Sequence, residues 1–168
     1  MNILPCKAMR YLLFIMLLLS LSAQAQPPRN DLDRFEYSQQ LTVNASDSVL
    51  RHRAHEFFRL PFIVHWDSVA FVDGVNTGKG NIRIRINHWL SSFIIPVDLK
   101  LEITIQQNGY RYSIRHFEAN RPDSKYQFLL EQKPQAVNGV VYEQLVQKTH
   151  QYVSSVISYL KRYMGGDE

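Results

Sequence analysis

A chain of 168 residues with 45% hydrophobic and 20% charged side chains has the make-up of an ordinary folded protein, which excludes a low-complexity or disordered polypeptide. Its one cysteine, Cys6, lies ahead of every folded segment read below, so the rest of the chain has neither disulfide nor thiol chemistry. The formal charge of +4 includes Lys7 and Arg10; without them it is +2, too near neutral to point to a nucleic-acid partner.

Residues 1–25 read as an export signal: Lys7 and Arg10 form a basic start, Tyr11 to Leu21 is almost wholly apolar, and Ala23-Gln24-Ala25 fits the small-x-small cleavage rule. The apolar run is shorter than the ~18 residues that span a bilayer, so a retained anchor is not expected. Cleavage before Gln26 leaves 143 residues, enough for one domain with its own core and too few for two. Residues 26–34, with Pro27-Pro28, read as an extended leader, 35–164 as a single domain, and 165–168 as a disordered tail.

From Phe35 to Val43 the apolar residues Phe35, Tyr37, Leu41 and Val43 share one phase, the pattern of a strand facing a core. Ser46 and Asp47 are suited to accept from the first-turn amides of a helix in which Leu50, Ala54, Phe57 and Phe58 recur at helical spacing, ending before Pro61. Phe62 to Val72 is rich in β-branched and aromatic residues, and Asp73-Gly74 suits the positive φ angles of a tight hairpin. In Val75 to Asn87, Ile82, Ile84 and Ile86 alternate with Asn81, Arg83 and Arg85, which marks a half-buried strand.

A loop through His88 to Ser92 is expected next, then a strand from Ile94 to Gln107. With Asn108-Gly109 as the turn into Tyr110–Phe117, Ile105 faces Tyr112, Ile103 faces Ile114 and Glu102 faces Arg115. Residues 120–135, with Pro122 and Pro134, read as irregular or one short element. The chain closes on a long amphipathic helix whose stripe runs from Tyr142 through Leu145, Thr149, Val153 and Val156 to Leu160 and which Gly165-Gly166 ends. The order is β-α-β-β-β-β-α: an α+β domain with one antiparallel sheet and both helices on a single face.

The helix leading into Phe57-Phe58, the Gly78-Lys79-Gly80 step before the isoleucine strand, and the hairpin from Leu101-Glu102-Ile103 to Tyr110-Arg111-Tyr112-Ser113-Ile114 carry a resemblance over most of the chain beyond the signal. The chain resembles a domain family of unknown function found in exported proteins of Gram-negative bacteria, with a fold like the TATA-box-binding protein. The resemblance implies a twisted antiparallel sheet with two helices on its convex side and a location in the periplasm or cell envelope. It brings no catalytic residues, and likeness to a DNA-binding fold does not transfer function. His88-Trp89 departs from the expected pattern in being unusually aromatic.

Arg83, Arg85, Lys100, Arg111 and Arg115 fall on the polar phase of their strands, with Asp98 and Glu102 interspersed. Such a face suits an anionic envelope ligand or an envelope protein, although cross-strand ion pairing on a solvated surface is the commoner fate of such residues. His52 and His55 have a metal-compatible spacing but sit among Arg51, Arg53 and Arg59, which repel a cation. His65 and Asp67 share a strand phase, and His116 is expected to point inward. Gly78-Lys79-Gly80 feeds a strand, not a helix, and so reads as a bulge and not a phosphate loop. No cofactor is implied and no nucleophile–base pair can be nominated. The expected function is a non-catalytic binding or adaptor module; the alternative is a periplasmic hydrolase-like enzyme built from scattered His, Asp and Glu. A DNA-binding saddle ranks last, because export separates the protein from the chromosome and no phenylalanine pairs are evident on the exposed face to wedge between base steps.

Overall fold

The computed structural model describes residues 27–60, 64–122 and 124–166. Residues 1–26, which include the expected export signal, and the last two residues, 167 and 168, therefore lie outside the described residues. Six strands and two helices follow one another as β1 (Glu36–Thr42), α1 (Asp47–Phe57), β2 (His65–Val72), β3 (Val75–His88), β4 (Ser91–Gln106), β5 (Gly109–Asn120), β6 (Gln127–Leu129) and α2 (Gly139–Gly165).

All strand pairings are antiparallel, in the order β1-β5-β4-β3-β2, with β6 continuing the β1 edge along the far end of β5. The inward phase of the three long strands is nearly continuous: Ile82, Ile84 and Ile86 on β3, Ile95 to Ile103 on β4, and Tyr110, Tyr112 and Ile114 on β5 are all buried. Both helices pack on this face and close one core through Leu50, Ala54 and Phe57 of α1 and Val141, Leu145, Val153, Leu160 and Met164 of α2. The expected α+β class and single-faced layering therefore hold.

Caps fall where side-chain chemistry asks for them. The Ser46 hydroxyl accepts from the Val49 amide, and Asn138 serves α2 in the same way through the Val140 amide. Gly165 belongs to α2 itself; Gly166, at φ 89°, takes the left-handed conformation that ends it and leaves its amide on the Arg162 carbonyl.

Three expectations are corrected. Ahead of β1 the chain does not run as an extended leader but turns back on itself. Arg29 bridges to Phe35, the Asn30 side chain accepts from the amides of Leu32 and Arg34, and the Phe35 amide donates to Glu131. Secondly, the β4–β5 register is displaced by two residues: Ile105 faces Tyr110, Ile103 faces Tyr112, and Lys100, not Glu102, faces Arg115. The turn is Gln107-Asn108, with Asn108 at φ 61°, while Gly109 is already a strand residue because a Cβ there would strike the Leu41 carbonyl of β1. A two-residue displacement preserves the side-chain phase, so the core face survives the error. Thirdly, His116 points outward. It is the extra residue of a bulge between the pairs Lys100–Arg115 and Asp98–Glu118, at φ 65°, and the bulge brings Phe117 inward in its place.

The expected loop at His88–Ser92 contracts to a two-residue corner, Trp89-Leu90, between strands that pair up to His88 and Ser91. A second bulge interrupts β2, where Asp67 is the extra residue between the pairs Trp66–Gly80 and Ser68–Lys79. The glycines of Gly78-Lys79-Gly80 are required by close approach. Side chains there would meet the Phe58 and Trp66 rings at Gly78 and the His65 carbonyl at Gly80.

A charged groove across the polar face of the sheet

On the face away from the helices, one rung of the ladder runs Ser68–Lys79–Lys100–Arg115–Glu36 over five strands. It puts three cations on adjacent strands, spaced by about 5 Å of sheet. A groove of about 880 Å³ lies over this rung, bounded by Asp67 and Ser68 of β2 on one side and by Arg34, Leu129 and Glu131 on the other. The two bulged residues, Asp67 and His116, both line it, so the irregularities of the sheet and its concavity coincide.

The acids around the groove are mostly engaged inside the fold. Glu36 accepts from Ser113 through one oxygen and from Asn30 through the other, Asp98 accepts from Asn120 at 2.7 Å, and Glu131 holds the Phe35 amide. Glu102 is gripped twice, by Lys100 Nζ and by Arg115 Nη2, each at 2.6 Å. Burial by itself would raise the Glu102 carboxyl, but the Lys100 hydrogen bond and the charges of Arg115 and Lys100 outweigh it and hold the group below the ordinary carboxylate range. The cations are less evenly served. Lys100 and Arg115 share that one carboxylate, whereas the side chains of Lys79 and Arg34 pair with no described residue.

The five cations read from the strand phase do not form one cluster. Lys100 and Arg115 are register partners in the groove, and Arg111 lines a smaller adjoining hollow of about 310 Å³ with Glu102 and Thr104. Arg83 and Arg85 stand opposite Pro96 and Ile94, the former about 13 Å along β3 from Lys79. Two of the groove's lysines and arginines, Lys79 and Arg34, escaped the sequence reading. Lys79 shares the odd phase of Arg83 and Arg85, a signal masked by reading its flanking glycines only as a bulge. Arg34 reaches the groove through the fold-back of residues 27–35, which has no periodic signature.

The histidines do other work. His55 stacks on Phe71 at 4.1 Å and 8°, and among the described residues no three His, Cys, Asp or Glu side chains gather as a metal site would require. Tyr37 and Tyr110 belong to the core face, where burial pushes their phenols up and keeps them neutral.

Two solved structures share this architecture. A DUF4468 family protein of Bacteroides ovatus is similar at a TM-score of 0.64 and 13% identity, over 83% of this chain and 90% of the other. A TBP-like protein of Parabacteroides distasonis is similar at 0.61 and 12%, over 84% and 98%. No protein-family model matches the sequence, and no curated protein does. At such identities the likeness establishes the fold, which is TBP-like, and leaves activity to the residues of this chain. No helix among the described residues is long and apolar enough to cross a membrane.

Proposed function

We propose that the protein is an exported, non-catalytic binding module of the periplasm or cell envelope, and that it takes a carboxylate- or phosphate-bearing ligand in the groove over Lys79, Lys100 and Arg115. One observation carries this reading: around the groove most acids are satisfied internally, while Lys79 and Arg34 have no partner among the described residues and Lys100 and Arg115 divide one carboxylate. An anion placed there completes charge-assisted hydrogen bonds that the fold leaves open. The proposed location is supported by the signal-like pattern of residues 1–25 and by the resemblance.

The hydrolase reading rests on a different fact, that His116, Glu118 and Asp98 line the same groove. Yet His116 and Glu118 approach only to 4.0 Å, with side chains 64% and 45% exposed, which is little desolvation for acid–base work. Titration with an acidic uronate oligosaccharide separates the two. The binding module predicts salt-sensitive, calorimetrically measured association that Lys79→Glu weakens at least about tenfold, the scale of one lost charge-assisted contact. Cleavage of that oligosaccharide, abolished by His116→Ala, would replace the binding module with the enzyme.

A further inference from the structure

Beyond its pairing with β2 and β5, the β3–β4 hairpin continues as a two-stranded ribbon. Among the described residues β2 leaves β3 at Asn81 and β5 leaves β4 at Val97, so residues 82–88 and 91–96 pair with each other and with no other described strand over about 20 Å. The inner side of this ribbon is covered. Gln144 of α2 bonds both the amide and the carbonyl of Asn87, and Lys148 Nζ donates to the Arg85 carbonyl at 2.6 Å, which closes the free edge of β3.

The tip is left bare. Trp89 is 93% exposed and Leu90 fully so, the two most exposed large apolar residues of the described chain. Trp89 also has φ 53°, a conformation unfavourable for a bulky side chain. Every other non-glycine residue with positive φ among the described residues is Asp33, Asp73, Asn108 or His116, the types that tolerate it. The other two long hairpins turn on Asp73-Gly74 and Gln107-Asn108, so among the described residues this corner alone carries a strained, water-facing apolar pair. Strain and apolar exposure retained together mark a functional element.

Charge identifies its occupant. From residue 81 to 97 the hairpin holds Arg83, Arg85 and His88 and no acidic residue. The side chains of Arg83 and Arg85 lie exposed on the outer face beside half-exposed Ile94, paired with no described residue. Arg121 lies over the Phe93 ring at 5.3 Å on the flank. A convex Trp-Leu point backed by arginines matches the interface of an anionic bilayer, where indole rings sit at headgroup depth and basic side chains meet lipid charge. We infer that the Trp89-Leu90 corner is a membrane-docking tip that seats the protein on anionic lipid surfaces, independently of the groove.

The protein beginning at Gln26 holds every element of the fold and is the form to test, by co-sedimentation with phosphatidylglycerol-containing and pure phosphatidylcholine vesicles. Trp66→Phe leaves Trp89 as the sole tryptophan, and its emission should shift to the blue on anionic vesicles and less at raised salt. Trp89→Asn with Leu90→Gly installs a dipeptide suited to a two-residue hairpin, so thermal stability should be kept while vesicle binding is lost. Arg83→Ala and Arg85→Ala should each weaken binding to anionic vesicles by about fivefold. An unshifted Trp89 emission, or vesicle binding unchanged by the Asn-Gly exchange, overturns the assignment. So does Trp89-dependent capture of an envelope protein without any vesicle binding, which would mean the tip fills a protein pocket instead.

Discussion

The two faces of this sheet come from the same strands and differ in what they ask of their residues. On the inner face, Ile84, Leu101 and Ile114 are buried against two helices, and each is fixed in size and shape by its neighbours. On the outer face, the side chains of Lys79, Arg83 and Arg111 pair with no described residue, while Lys100, Glu102 and Arg115 are tied together and Glu36 and Asp98 accept from Ser113 and Asn120. Stability is thus concentrated on one side, which leaves the other free to carry charge for a purpose unrelated to folding.

The largest effect that would break this contrast lies in the core. Leu101→Ala, at the centre of the middle strand, should cost about 2–5 kcal/mol in denaturant unfolding, whereas Arg83→Ala or Arg111→Ala should stay within about 0.5 kcal/mol. Comparable losses on both faces would show that the outer charges are structural. A smaller loss tests the corrected register. Gly109→Ala forces a methyl group into the Leu41 carbonyl and should cost about 1–3 kcal/mol, together with faster amide exchange along β1. Were Gly109 a turn glycine clear of β1, the alanine would cost little and β1 would keep its protection.

The inner face was the legible one. Isoleucines at 82, 84 and 86 and the alternation from Val97 to Ile105 state their phase outright, and Ser46 and Gly166 mark helix ends by local chemistry. The outer face was legible in composition but not in arrangement. Which cations become neighbours depends on register, and register at β4–β5 turned on a glycine whose role is set by β1, some 68 residues earlier in the chain. Bulges were equally hidden: nothing local to His116 announces that it takes a positive φ and moves from the inner to the outer phase. Val141 and Met164 extend the buried stripe of α2 beyond the run read from periodicity, because the segment following β6, at Leu130, and α1, at Arg53, reach the two ends of that helix.

The finest test concerns the one outer carboxylate held by two cations. Because the Glu102 carboxyl lies below its ordinary value of 4.5 in the folded protein, its contribution is complete above that pH and is lost as pH falls through the folded value. Thermal midpoints of the parent should therefore decline below about pH 4.5 more steeply than those of Glu102→Gln, which has nothing there to titrate. At neutral pH the exchange should cost no more than about 1 kcal/mol, since Arg115 and Lys100 remain partly solvated. The same substitution releases both cations to the groove, so affinity for the acidic oligosaccharide should rise and its salt dependence steepen. A fall in affinity would instead mean that Glu102 holds Lys100 and Arg115 in the posture the ligand needs, and the division between a folding face and a binding face would then run through this residue.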